Sequence, residues 1–351
     1  MKAQSIYEMI HNNLNSKNKL PPGFELPREE AKPGELRFMV GARDGICVFH
    51  GASGGGPEKD IKKIFNYLKS GKTDKIPPLV KKHGMITIVD PLLSAIEANN
   101  DKFSISKISE YAKSLAFESA DEELVKLGIA LLGLLDWSNS PEMQQKLLTL
   151  GLYEEFTLYV LEAISWENRN DVIFEIAQNV NGWGKIHAVM RLEPTSDEIR
   201  DWILREGCSN AVLPAYLGLE CAEKGNLIEV LRKETPDTDL YESICVIIDA
   251  MLDEGPMLGI SIYEHAGEAL LLYLQHSAQH AVTIKHLWHV LNVEAALESL
   301  ELENKEDLQK IIREITSRPT WRELVQTTIE TSGGQGAEYH YATNIADRLG
   351  L

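Results

Sequence analysis

The sequence predicts an all-α protein built from short helix pairs that stack one on the next, preceded by a small N-terminal region with one β-hairpin. Three observations predict this. From Pro57 onward, apolar residues recur at helical spacing in runs of roughly 10–17 residues, broken by Gly, Asn, Pro or Asp. Runs that alternate Val, Ile or Thr with polar residues are nearly absent, with Met85–Val89 a short exception. One pattern occurs twice, as SPEMQQKLLTLG at 140–151 and as SDEIRDWILREG at 196–207.

The elements read in order as follows. Residues 1–15 form a short amphipathic helix with Ile6, Met9 and Ile10 on one side, and 16–35, rich in Pro, Gly and charge, form a linker. Two apolar runs, Leu36–Val40 and Ile46–His50, flank the Gly/Asp-rich stretch Gly41–Gly45, which is a hairpin signal. GASGGG follows at 51–56, and Pro57 suits a first helical position with Glu58 and Asp60 in the first turn. The helical runs then read as 57–70, 76–83, 90–99, 104–119, 121–136, 141–150, 152–166, 170–180, 183–193, 196–206, 208–224, 226–233, 237–253, 260–280, 283–291, 293–302, 304–316, 319–331 and 336–349. Residues 1–56 therefore read as an N-terminal region and 57–351 as a helical-repeat domain, clearest over 121–253.

The duplicated pattern has physical content. Ser opens each copy as a cap, and Glu sits in the first turn. Met143, Leu147, Leu148 and Leu150 form an apolar stripe, and Gly151 closes the helix where a left-handed residue is expected. A second amphipathic helix follows each copy, LYEEFTLYVLEAI or NAVLPAYLGLECA. Four helices thus fill the 56-residue offset, so the unit is a pair of roughly 28 residues, a length that stacks into α-solenoids. SDEIRDWILREG and NDVIFEIAQNVNGWGKIHAVMRL resemble HEAT-type repeats, especially the short bacterial kind, over 121–253 and more faintly over 254–351. The resemblance implies a superhelix whose usual role is a scaffold or binding surface. The sequence departs from that pattern after about residue 253, where spacing becomes irregular, and before residue 57, where a hairpin has no counterpart.

Composition sets further bounds. With 44% apolar and 25% charged residues in 351, the chain is globular rather than disordered. Cys47, Cys208, Cys221 and Cys245 show no CxxC spacing and read as reduced, packed thiols. MKAQSIYEMIHNNLN lacks the apolar core of a signal peptide, and GIALLGLL at 128–135 is far short of a membrane span, so a cytoplasmic protein is expected. The net charge of −18 is uneven. Residues 1–100 carry 15 Lys and Arg against 11 Asp and Glu, whereas 101–351 carry 20 against 42. The acidic part disfavours nucleic acid and favours a protein or peptide partner that is basic in part.

Several positions invite a chemical reading. Trp183 stands between Gly182 and Gly184 with His187 one turn on, and Trp202 and Arg205 lie one helix later. Such residues make an interface hot spot, or else Trp183 simply packs a helix corner. His276 and His280 are spaced i, i+4, as a metal pair requires, with His286, His289, His265 and Glu268 nearby in sequence. The HExxH glutamate is absent, and ordinary surface or core histidines are the competing reading. Gly51–Gly55 matches GxSxG around Ser53, but a nucleophile elbow needs a parallel sheet that the helical remainder does not offer. The same glycines, followed by Lys59, Lys62 and Lys63, suit an anion cradle or a plain connector, and the lysines of 59–82 suit nucleic acid. No cofactor is indicated. The leading expectation is an interaction protein that holds its partner on the concave face of a solenoid. The alternative is an enzyme using His276 and His280, as a metal or acid–base site, or Ser53.

Overall fold

The computed structural model describes residues 4–27, 37–51, 57–233 and 236–351. The chain is 70% helical, and no strand occurs among the described residues. No helix among them is long and apolar enough to cross a membrane. Contacts divide the chain into two compact units, Met1–Leu192 and Glu193–Leu351.

The first unit opens with α1 (Ile6–Asn13), whose capping box is complete: Ser5 Oγ accepts the Glu8 N–H, and the Glu8 carboxylate accepts the Ser5 N–H. The expected hairpin is replaced by a helix, α2 (Ala42–His50). Gly41, with φ of 71°, uses its left-handed conformation to enter the helix rather than to turn a hairpin. As a strand, this segment would send Asp44 and Gly45 to opposite faces. As a helix it gathers Gly41, Asp44, Gly45 and Phe49 towards one side, where tertiary partners hold them. Next come α3 (Glu58–Ser70), α4 (Pro77–His83), α5 (Val89–Glu97) and α6 (Ile105–Glu118). The strand-like Met85–Val89 stretch is a short 3₁₀ turn running into α5.

The rest of the unit is α7 (Glu122–Leu132), α8 (Pro141–Gly151), α9 (Glu154–Ala163), α10 (Arg169–Asn179) and α11 (Trp183–Arg191). Helices α7, α9 and α11 form a row, each packed on the next, while α6, α8 and α10 pair with them in turn. Residues 125–132 and 183–189 are buried without a gap, so these stretches are covered all round rather than along one stripe. Each fully buried Leu, Ile or Phe here, such as Leu127, Ile129 or Phe156, stabilises the fold by about 1.5–3 kcal/mol relative to exposure. Gly151 and Gly207, expected as left-handed helix stops, serve close approach instead. Neither Gly151 nor Gly207 has positive φ. A Cβ at Gly151 would lie 2.9 Å from Val160 Cγ1, and one at Gly207 would lie 3.1 Å from Cys221 Sγ.

The second unit contains α12 (Asp197–Trp202), continued by a π-helical turn at Ile203–Gly207, then α13 (Gly218–Lys224), α14 (Leu227–Arg232) and α15 (Thr238–Leu252). After these come α16 (Ala266–His280), α17 (Ile284–Ala296), α18 (Lys305–Thr316), α19 (Thr320–Thr331) and α20 (Ala337–Leu349). One row runs α13, α15, α17, α20; the other runs α14, α16, α18. Ser196, Asp237 and Thr283 cap α12, α15 and α17 by accepting the amides of Ile199, Leu240 and His286. Three expectations differ here, the first being that the helix expected over 260–280 begins only at Ala266, after a 3₁₀ turn at Ile260–Ile262. The helix expected from residue 208 begins only at Gly218, because the Asn210 side chain accepts the Val212 and Leu213 amides and Pro214 follows. The break expected near residue 292 is absent, and α17 runs through it.

Candidate functional site

In the second unit a cleft of about 550 Å³ lies between α15, α17 and α20. Helical spacing builds its walls. Lys285, His289, Asn292 and Ala296 follow one face of α17, and Val246, Asp249 and Asp253 follow one face of α15 and its end. Tyr341 of α20 closes one side. At the centre, His289 Nδ1–H donates to Asp249 Oδ2 at 2.5 Å, and Asn292 Nδ2 donates to the same oxygen at 3.0 Å. A carboxylate oxygen accepts here, so the proton of this bond sits on Nδ1. Asp249 Oδ1 and His289 Nε2 have no hydrogen-bond partner. Both atoms are buried.

Behind this wall, Tyr241 packs between the rings of His280 and His286, at 5.2 and 5.1 Å. Its hydroxyl donates to Ser277 Oγ, and Tyr273 donates to Cys245 Sγ. Burial pushes the Cys245 thiol up to about 11, so it is an inert core thiol. His276 and His280 engage different neighbours: His276 Nε2 faces the Leu231 carbonyl at 2.9 Å, and His280 packs on Tyr241. Among the described residues, no group of three or more His, Cys, Asp or Glu is gathered as a metal site requires. Ser53 lies outside the described residues.

Trp202 ends α12, half-buried, and Arg205 sits in the π turn after it. Arg205 donates to both oxygens of Asp237 (3.0 and 2.7 Å) and to Asp201, so its guanidinium ties the π turn to the cap of α15. Trp183 and His187 belong to the first unit, and both are buried. Glu154 at the start of α9 caps the incoming α11: its Oε1 accepts the amides of Asn181 and Gly182, and its Oε2 accepts that of Gly184. Phe49 of α2 then covers the corner, stacked on His187 at 5.7 Å and tilted on Trp183 at 5.9 Å. Burial, with Arg191 adding to it, pushes the His187 imidazole down to about 3, so it is neutral.

Beside that corner lies a wholly inaccessible lysine. Lys126 Nζ meets Glu155 at 2.6 Å, Asp44 at 2.7 Å and Glu123 at 3.4 Å, with the Tyr159 ring 5.5 Å away. Burial opposes its charge, but the Glu155, Asp44 and Glu123 carboxylates outweigh burial and hold the ammonium above its ordinary value. Burial raises Asp44 in spite of Lys126. The carboxylates also reach backbone: Glu155 accepts the Gly41 N–H at 2.8 Å, and Glu123 accepts that of Met85. A second cleft, of about 440 Å³, lies alongside, walled by Val48, Leu93, Ala130, Tyr159 and Arg191.

Sequence reasoning missed Lys126, Asp44, Asp249 and Asn292. A signal was available for two of them. Lys126 and Asp249 are single charges inside otherwise apolar helical runs, LVKLGIALL and ICVIIDAML. Such residues are buried only with partners. No family model matches this chain, and no curated protein and no solved structure matches it.

Proposed function

We propose that the chain is an interaction protein. In each unit the helix pairs make a short HEAT-like α-solenoid, and the α15–α17–α20 side of the second unit binds a protein or peptide segment that is basic in part. One observation carries the reading: a cleft of about 550 Å³ runs along α15 and α17, lined by Val246, Ala250, Leu252, Ala295 and Ala296 beside the carboxylates of Asp249 and Asp253. Charge supports it. The cleft carries Asp249 and Asp253 against Lys285, in a part of the chain with 42 acidic and 20 basic residues. A Lys or Arg side chain pairs with the exposed Asp253 carboxylate, and Tyr341 adds an aromatic wall. Electrostatic steering makes such association salt-dependent.

The test is a photo-crosslinking amino acid at Ala295, in the cleft, and at Glu306, on α18. The reading expects partner adducts at Ala295 that fade as salt is raised and fall with Asp253→Asn, and none at Glu306. Equal adducts at both positions, adducts indifferent to salt, or none at either, would count against it.

A second reading is acid–base catalysis by the Asp249–His289 pair. The short hydrogen bond favours it. The burial of Nε2, the nitrogen that a general base presents to its substrate, weighs against it. Turnover of an ester or phosphoester substrate that disappears in His289→Gln would revive it.

A further inference from the structure

We propose that α2 is a detachable plug, and that the face it covers on α7, α9 and α11 takes in its place a partner helix carrying a carboxylate, a glycine next to it, and an aromatic residue five positions after the carboxylate. The proposal rests on the binding role above and extends it to the first unit.

Helix α2 engages each helix of the row the way a bound ligand would. Asp44 reaches Lys126 of α7 at 2.7 Å, the Gly41 N–H reaches Glu155 of α9 at 2.8 Å, and Phe49 lies on Trp183 and His187 of α11. Gly45 sets the depth of docking, because a Cβ there would stand 2.1 Å from the Trp183 ring. The pattern Asp44, Gly45, Phe49 is the pattern the partner must reproduce.

Arg43 adds a hydrogen bond to the His83 carbonyl at 3.1 Å, and α2 has weak intrinsic helicity. It has nine residues, no side-chain cap at its N-terminus, a glycine in its interior, and two β-branched residues, Ile46 and Val48. Isolated helices of this length and composition are marginal in water. Its own sequence favours a hairpin, so the helical state is imposed by the surface beneath. Its outward side leaves Val48 47% exposed at the edge of the 440 Å³ cleft. On either side, the sequence has linker composition: Pro, Gly and charge at 21–35, and GASGGG at 51–56. Opening does not strand a buried ammonium, since Lys126 keeps Glu155 and Glu123 when Asp44 leaves. Departure of α2 also bares Trp183 and His187, a pair of the kind that anchors interfaces.

The experiment has two arms on the full chain. In native-state hydrogen exchange of the wild type, the amides of 45–50 should exchange on the order of 100-fold faster than those of α7 and α9, through local opening. A fluorescein-labelled peptide of residues 37–51 is then added in trans. It should bind Gly45→Leu, whose own α2 cannot seat, at least tenfold more tightly than wild type. An Asp44→Asn peptide should bind that variant about tenfold more weakly than the native peptide. Equal protection of α2, α7 and α9 would overturn the proposal, as would global unfolding of Gly45→Leu or a folded Gly45→Leu that ignores the peptide. Any of these results alongside salt-sensitive adducts at Ala295 would sink the plug and leave the proposed binding role standing.

Discussion

The two units treat the front of their helix rows differently. In the first, α7, α9 and α11 are buried over nearly all their faces, Glu162 of α9 being an exception, and the chain's own α2 reaches all three. Its charged residues are sealed inside: Lys126 is wholly inaccessible among three carboxylates. In the second, α15 and α17 keep Asp249 and Asn292 partly open and Lys285 and Ala295 exposed along a wider cleft. Sealed charge stabilises only while it keeps a counter-ion, because a member left without one is an unpaired ion in a low dielectric. Charge at an open wall contributes little to folding and is free to act in recognition. The difference teaches where to look for each role: stability at Lys126 and, on the proposed function, binding along the cleft that Asp249 lines.

The comparison breaks most easily at Lys126. Lys126→Met leaves Asp44, Glu123 and Glu155 without their cation and should cost about 3–5 kcal/mol in urea denaturation. A cost under about 1 kcal/mol would mean that the node is not a sealed set.

The next effect is one of pH. His187 titrates near 3 when folded and near 6.5 when unfolded, so between these values the unfolded chain holds the extra proton. Stability is therefore lost as pH falls below about 6.5 and regained as pH rises. His187→Phe keeps the stack on Phe49 and removes this proton uptake. The stability difference between variant and wild type should grow in the variant's favour from pH 7 to pH 5, measured by denaturant titration. A pH-independent difference would mean that the corner is wet.

Asp249→Asn, in the open cleft, should lower stability by only about 1–2 kcal/mol, through the weakened bond to His289, while weakening capture of a basic partner about tenfold. The smallest change is expected at Arg205→Ala. Its pairs with Asp201 and Asp237 are solvent-exposed and bidentate, and their loss should cost about 1 kcal/mol or less by thermal unfolding.

Much of the helical register was legible because periodicity is a local property. Runs such as 141–150, 170–180 and 304–316 match α8, α10 and α18 to within a residue or two. What failed was set by distant partners. Ile46–His50 has strand-like composition, yet Lys126, Glu155 and Trp183 impose a helix on it. Gly151 is spaced like a helix stop, yet its role is to let Val160 and Ile176 come close. The sequence grouped Trp183 and His187 with Trp202 and Arg205, but the two pairs fall in different units, and nothing local reveals that Phe49 covers the first pair. Asp249 and His289, 40 residues apart, meet only because α15 and α17 adjoin.

The account stands on one row being covered and the other open, and thiol labelling tests this directly. Cysteines are introduced singly at Ala130, which lines the first unit's cleft, and at Ala295, which lines the second's. Maleimide labelling is then followed site by site by mass spectrometry, with the native cysteines left in place. The thiol at 295 should react at close to the rate of a free peptide thiol, and that at 130 on the order of 100-fold more slowly. Comparable rates at the two positions would contradict the account.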